Sequence, residues 1–327
     1  MYKTLNKNIP ILICGIGSIG KRHLKNLLSL GYKNIFLYRK RGYPFREVKE
    51  EFPVYSDLEK ALKESKPFVS FITNPTSLHV ETAYKCALAG SHLFIEKPIS
   101  HKVGKKERRL LSIVRRKNLK VMVGYMMRFH PAFKKIKNLI QKGSIGKPLF
   151  SRSVWGEYLP DWHPWEDYRI SYAGRRELGG GPALTLSHDI DMAIWLFGKP
   201  VSVTGVPSFG SHLEINTEHA VDILIRFESG VVSNIHLDYI QSPPTRIWEV
   251  VCDYGRVIFD YYNGKLCLFK KGKKFQFDVR VERNKLFIDE IKYFFKCIAT
   301  DTEPLPGIEE ALLSVKIARN VIFSNND

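Results

Sequence analysis

Cysteine is scarce in this sequence, and what there is stands badly placed for pairing. The five cysteines among 327 residues, Cys14, Cys86, Cys252, Cys267 and Cys297, are odd in number, widely separated and include no C-x-x-C pair. Neither a disulfide framework nor a zinc site is indicated by that spacing, and reduced, buried thiols are expected. Long apolar runs are also missing. The longest largely apolar stretch, residues 9–20, contains three glycines and falls short of the roughly 20 residues that cross a bilayer, so no membrane partner is expected. The first residues, Met1-Tyr2-Lys3-Thr4, lack the basic, apolar and small-residue order of a secretory signal, which predicts a cytoplasmic location. Repeats and low-complexity linkers are absent. A composition of 44% hydrophobic and 26% charged residues excludes disordered and collagen-like classes.

Negative charge is in short supply as well: 51 Lys and Arg face 33 Asp and Glu, a formal net charge of +18. Such an excess attracts polyanions and makes phosphate-bearing partners plausible. The basic runs, among them Arg39-Lys40-Arg41, Arg115-Arg116-Lys117 and Lys270-Lys271, are scattered and not interleaved with aromatics. A single-strand binder needs that interleaving, so a specific nucleic-acid partner is not expected.

What is present has a clear order. The first 125 residues alternate short apolar runs (11–14, 35–38, 68–73, 93–95, 121–124) with helical patterns at 21–30 and 77–89, each closed by a glycine, Gly31 and Gly90. This is the pattern of parallel strands joined by crossover helices. From about residue 200 the period becomes two, as in Val221, Ile223, Ile225 and Phe227, and turn sequences such as Tyr262-Asn263-Gly264 punctuate it. The expected fold class is α/β: a doubly wound parallel sheet over residues 1–125, then an α/β domain over 126–327 with an open, mainly antiparallel sheet. The length supports two domains, and a closing helix at 307–323 is expected to pack back on the first.

Gly15-Ile16-Gly17-Ser18-Ile19-Gly20 follows a strand and opens a helix, the context in which G-x-G-x-x-G signals a dinucleotide. Gly15 permits the tight turn, Gly17 lets backbone approach a pyrophosphate, and Gly20 lets the helix pack on the strand. The helix N-terminus offers unpaired N–H groups and a positive dipole end. About 20 residues on, where NAD-binding chains carry a carboxylate for the ribose, this chain has Tyr38-Arg39-Lys40-Arg41. A guanidinium suits a 2′-phosphate, which favours NADP over NAD, although Arg39 stacked on adenine would not discriminate.

Ile95-Glu96-Lys97-Pro98 follows another predicted strand, at the sheet edge where such folds bind ligands; Pro98 keeps Lys97 out of a helix. Further on, Gly179-Gly180-Gly181-Pro182 precedes a predicted helix over 183–197. His188, Asp191 and Trp195 share a face apart from the stripe of Leu186, Ile190, Ala193, Ile194 and Phe197. A histidine one turn from an aspartate is commonly a surface pair, but the glycine run gives backbone access to a ligand.

Taken in order, the Gly15–Gly20 turn, Glu96-Lys97-Pro98, Gly124-Tyr125-Met126-Met127-Arg128-Phe129-His130-Pro131 and the glycine run leading to His188-Asp189-Ile190-Asp191 resemble the Gfo/Idh/MocA family of NAD(P)-dependent sugar oxidoreductases along nearly the whole chain. The resemblance implies a Rossmann domain and a C-terminal sheet that joins subunits into homodimers or homotetramers. It implies that Lys97 and His188 are the catalytic pair, with Tyr125, Arg128 and Asp191 near the substrate. It further implies cofactor contacts from Gly15, Gly17, Ser18, Ile19, Gly20, Tyr38, Arg39, Thr73, Asn74, Pro75, His79, Glu96, Lys97 and Pro98. Many relatives place an aspartate one turn before the histidine, whereas Leu184 and Thr185 stand there here. A threonine bonds hydroxyls but carries no charge, so Thr185 is expected at most to position a substrate hydroxyl. Members similar in this variant belong to bacterial surface-sugar and nonulosonate pathways.

In that scheme a base takes the hydroxyl proton of a sugar as its carbon is oxidised. Lys97 is the expected base, since desolvation and a neighbouring positive charge both disfavour an ammonium. His188 shares the proton, and Asp191 sets its tautomer. The segment 155–169 carries Trp155, Trp162, His163, Trp165, Tyr168 and Arg169. Aromatic faces with polar tips suit a sugar, and Arg169, Arg175 and Arg176 suit an acidic one; a buried structural loop is the competing reading. His163 with Glu157, Asp161 and Asp167 lacks zinc spacing, so no metal is expected. A small sugar or acidic sugar derivative is the expected partner. The alternative is a non-catalytic dinucleotide-binding sensor or scaffold.

Overall fold

The computed structural model describes residues 5–40 and 51–323; Arg41 lies outside them. The chain divides into two compact units, Met1–Gly124 with Phe287–Leu312, and Tyr125–Leu286 with Leu313–Asp327.

In the first unit β1 (Ile11–Cys14), β2 (Ile35–Tyr38), β3 (Val54–Tyr55), β4 (Val69–Ile72), β5 (His92–Glu96) and β6 (Val121–Gly124) pair in parallel in the order β3-β2-β1-β4-β5-β6. The order reverses between β1 and β4, which opens a crevice at the strands' carboxyl ends. β1, β4 and β6 are buried throughout, as a sheet covered on both faces requires. The crossover helices are α1 (Ser18–Ser29), α2 (Leu58–Ser65), α3 (Thr76–Leu88) and α4 (Lys105–Arg116). Gly31 and Gly90 sit at φ 86° and 88° just past α1 and α3, the left-handed stop that the sequence predicts. Both helices begin earlier than predicted, at Ser18 and Thr76: α1 starts inside the glycine turn because Gly17 already serves as its N-cap.

A segment remote in sequence completes this core. Phe71 and Phe94 stack at 4.9 Å, and Phe294, from α8 (Arg283–Ala299), meets Phe94 edge-on at 5.8 Å. Phe295 closes on Tyr32 at 4.7 Å.

In the second unit α5 (Pro131–Gln141), β7 (Pro148–Tyr158), α6 (Pro182–Thr185), α7 (His188–Phe197), β8 (Pro200–Ser208), β9 (Ala220–Phe227), β10 (Val232–Asp238), β11 (Ile240–Cys252), β12 (Gly255–Asp260), β13 (Lys265–Lys270) and β14 (Lys273–Asp278) follow in order. The sheet runs β14-β13-β12-β11-β7-β10-β9-β8 and is antiparallel except where β10 lies parallel to β7. β9 alternates as predicted, with Val221, Ile223, Ile225 and Phe227 buried and Asp222, Leu224 and Arg226 exposed. The other face therefore meets solvent in this chain, as one-sided antiparallel sheets allow. The final helix, α9 (Ile308–Phe323), is divided between the units after Leu312. No helix among the described residues is long and apolar enough to cross a membrane.

One predicted element is two. The helix expected over 183–197 breaks at Leu186, whose φ of −95° and ψ of 20° leave the helical path. The ladder restarts with Asp191 N bonded to Ser187 O at 3.0 Å. His188 thus opens a helix rather than lying inside one.

Replacing Phe294 by Ala empties a fully buried aromatic site and is expected to cost about 3–5 kcal/mol, measurable as a fall in the denaturant midpoint.

Candidate active site

The glycine turn is built for close approach. A Cβ on Gly20 would stand 2.0 Å from Gly15 O, and one on Gly15, at φ 107°, would stand 2.5 Å from Asn74 N. A Cβ on Gly17 would meet nothing within 4 Å. The backbone is therefore packed tight behind the turn and open in front. Gly17 caps α1 without a side-chain bond, and no acidic residue occupies the first helical turn. Ser18, Ile19 and Gly20 begin that turn, so an uncapped positive helix end faces the open space, as a pyrophosphate requires. These residues fit an NAD(P) dinucleotide.

The neighbouring loops are tied to the turn. Thr73 Oγ1 donates to Gly15 O at 2.6 Å, and Gly15 N bonds Tyr38 O at 2.9 Å at the end of β2, where Arg39 follows. His79 on α3 has Nδ1 2.9 Å from Pro98 O and Nε2 2.7 Å from Asn74 O. It thus clamps the Thr73-Asn74-Pro75 loop to the Lys97-Pro98 loop; burial lowers its pKa, while the two carbonyls oppose that shift. Lys97 is half-buried, and its backbone N donates to Glu96 Oε2 at 3.2 Å.

In the second unit His188 is fixed through its neighbours. Asp189 accepts from Arg246 Nη2 at 2.6 Å and from Trp248 Nε1 at 2.7 Å, both on β11. Asp191 accepts the fork of Arg128, from Nε at 2.9 Å and Nη2 at 2.7 Å. All four charged groups are buried, so each carboxylate needs its guanidinium. Both aspartates also lie in the first turn of α7, where negative charge is favoured. His188 lies 5.6 Å edge-on from Tyr125 and 5.9 Å from Trp155, measured between ring centroids. Burial raises the Tyr125 hydroxyl pKa well above its usual range, keeping it a neutral donor. Asp191, expected to set the His188 tautomer, is also the carboxylate that balances Arg128.

Thr185 stands in place of an aspartate, and its hydroxyl works within the fold: it donates to Gly181 O at 2.9 Å and pairs with the Tyr239 hydroxyl. Gly181 sits at φ 96°, and a Cβ there would meet Glu218 Oε1 at 2.3 Å. Glu218 Oε1 in turn accepts from Ala183 N at 3.2 Å. The loop 159–181 is more open. Trp162 packs edge-on to Tyr239 at 5.3 Å, and His163 lies 5.2 Å from Trp165. Tyr168 O accepts from Ser171, while exposed Arg169 pairs with Asp167 and Glu214. Arg175 likewise pairs with Glu177.

The family description "Oxidoreductase family, NAD-binding Rossmann fold" matches residues 9–125, and "GFO/IDH/MocA C-terminal domain" matches residues 133–258. The chain belongs to the Gfo/Idh/MocA family. As a member it is an oxidoreductase with an NAD(P)-binding Rossmann domain. It is 26% identical to myo-inositol 2-dehydrogenase of Thermotoga maritima over 93% of this chain and 92% of the relative. It is 24% identical to scyllo-inositol 2-dehydrogenase (NAD(+)) of Bacillus subtilis, over 96% and 93%. A structure of levoglucosan dehydrogenase in complex with NADH and levoglucosan superposes with a TM-score of 0.84 at 20% identity, covering 97% of both chains. That likeness is one of fold.

Several groups that organise this oxidoreductase escape local sequence reading. Arg246, Trp248, Tyr239 and Glu218 are separated from His188 by long stretches of chain. One signal does exist: Arg246, Trp248 and Val250 share strand parity, so a charge lies on the apolar side of β11. Glu218 offers no such signal.

Two outcomes are expected. Arg128→Leu strands the Asp191 carboxylate and should lower unfolding free energy by about 3–5 kcal/mol, with part of the loss recovered when Asp191→Asn is added. The pKa of Glu218 is pushed up to about 7, mainly by burial. Between the unfolded value of about 4.3 and 7, the folded chain keeps a proton the unfolded chain has lost, so this group's contribution to stability falls as pH rises and levels off above 7. Glu218→Gln should remove that slope, gaining up to roughly 3 kcal/mol on wild type at about pH 8 but little near pH 4, as read from denaturant midpoints.

Proposed function

We propose that this oxidoreductase moves a hydride between NAD(P) and a hydroxyl-bearing carbon of a sugar or acidic sugar derivative, with Lys97 and His188 as its acid–base pair. The observation that carries the reading is the open backbone at Gly17 before an uncapped helix end, in a family whose characterised relatives named above act on polyols and sugars. Residues of the Gly15–Gly20 turn, with Thr73, Asn74, Pro75 and the Glu96-Lys97-Pro98 loop, hold the dinucleotide. That group, when bound, would supply the hydride acceptor or donor. Lys97 takes the proton from the substrate hydroxyl in oxidation and returns it to the carbonyl in reduction. His188, which opens a helix anchored through Asp189 and Asp191, hydrogen-bonds the same oxygen, and Tyr125 and Trp155 present aromatic surface beside it.

Arg39 after β2, with no carboxylate from Tyr38 to Lys40, supports NADP as the preferred cofactor. Phe150, Leu224 and Ile247 are apolar side chains left exposed on the C-terminal sheet, which supports homodimers or homotetramers formed through it. The 1–125 and 126–327 division assigns cofactor binding to the first region and substrate binding with assembly to the second. A cytoplasmic site of action completes the reading.

A nicotinamide absorbance assay over polyols, neutral sugars, uronic acids, amino sugars and nucleotide sugars, with both cofactors, tests it. Lys97→Ala is expected to lower kcat by about 10²- to 10⁴-fold while NADPH binding, followed by fluorescence, persists. Undiminished turnover in that variant would remove Lys97 from the mechanism.

A further inference from the structure

Behind the Lys97 loop Glu96 meets two ionisable side chains, His23 and Glu290, that the scheme above does not use. His23 from α1, Glu96 from the end of β5 and Glu290 from α8 converge inside the first unit, one ligand-type atom of each within 4.8 Å of the others, and all three are buried. The walls are aromatic: Phe94, Phe71 and Phe287 lie 5.1, 5.4 and 6.0 Å from the His23 ring. Glu96 is well bonded, to His23 Nε2 at 2.7 Å through Oε1 and to the Lys97 backbone N through Oε2. Glu290 contrasts with it, since neither of its buried carboxyl oxygens has a hydrogen-bond partner in the protein.

Two carboxylates in one apolar enclosure do not both ionise. The charge belongs on Glu96, which has two donors, and the proton on Glu290, which has none. We propose that Glu290 is held as a neutral carboxylic acid facing the Glu96 carboxylate, and that this acid–carboxylate pair, with His23 donating from Nε2, is the positioning device for Lys97. Burial, and after it the neighbouring Glu96, push the Glu290 pKa well up, in accord with that geometry. Glu96 is the junction: one of its oxygens is set by His23, the other by the Lys97 peptide, and a neutral Glu290, within 4.8 Å of it, can turn an O–H toward it without adding a second negative charge near Lys97. Among the described residues, His23 on α1 and Glu96 on β5 are the His, Cys, Asp and Glu side chains that converge on Glu290.

The role given to Lys97 rests on the function proposed above; the protonation of Glu290 does not, and the experiment separates them. Infrared difference spectra of wild type minus Glu290→Gln near neutral pH should show the C=O stretch of a neutral carboxylic acid. Pulse acetylation of the Lys97 amine across pH, read by mass spectrometry, should give the same titration curve in wild type and Glu290→Gln, because Gln keeps a neutral donor. Glu290→Leu, which has none, should displace it, and the return of the curve with Gln marks positioning rather than packing. A missing acid band, or a Lys97 curve moved to lower pH in Glu290→Gln, would overturn the proposal by showing an ionised Glu290. Stoichiometric Zn²⁺ surviving dialysis of wild type and lost from Glu290→Gln would overturn it as well, in favour of a metal centre. An infrared band together with a turnover-competent Lys97→Ala would leave Glu290 protonated and refute only its bearing on catalysis.

Discussion

A charge withdrawn from water must be met by an opposite charge or surrender its own, and the interior of this protein is arranged around that demand. On α7 the carboxylates of Asp189 and Asp191, just after His188, are answered by Arg246 and Arg128, which reach them from β11 and from the turn Met126–Phe129. Neither pair is a strong argument for net stability, because desolvation offsets much of the attraction. Their effect is geometric. Asp189 bonded to a strand, and Asp191 bonded to a separate turn, one and three residues after His188, leave the start of the helix little freedom to rotate. Trp248, donating to Asp189, and the Arg246 guanidinium, 3.7 Å from the centre of the Trp155 ring, extend that restraint into the sheet.

The dinucleotide turn obeys the complementary rule. There the unpaired groups are backbone N–H donors at the start of α1, left without a side-chain cap, while the tight packing of Gly15 and Gly20 against their neighbours keeps the open side at Gly17. Unsatisfied donors in an open crevice await an anion; unsatisfied carboxyls in a closed core take up a proton. The same physics thus produces a ligand site at one end of α1 and, at His23 further along it, a wall of a closed ionisable group.

The loop 159–181 shows what happens when charge stays in solvent. Arg169 and Arg175, which sequence alone marks as anion-binding groups, are each paired with a nearby acid, Asp167 and Glu177. Exposed pairs of this kind are individually weak, and they keep both guanidiniums at the surface rather than committing them to the core. Thr185 differs, since its hydroxyl is used inside the protein to hold the glycine turn and Tyr239.

Much was legible in the chain itself. Period and punctuation were enough for the parallel sheet, the later antiparallel one and the glycine stops after α1 and α3, because these depend on local backbone preference and on which face is apolar. The order of the glycines, Lys97 and His188 was likewise readable, since motif chemistry is carried by short spacings. Where the helix before His188 breaks, that Asp191 answers Arg128, and that Glu290 joins His23 and Glu96 were decided only in three dimensions. Those outcomes turn on which distant group arrives to satisfy a buried charge, and spacing along one strand or helix holds no information about a partner tens or hundreds of residues away.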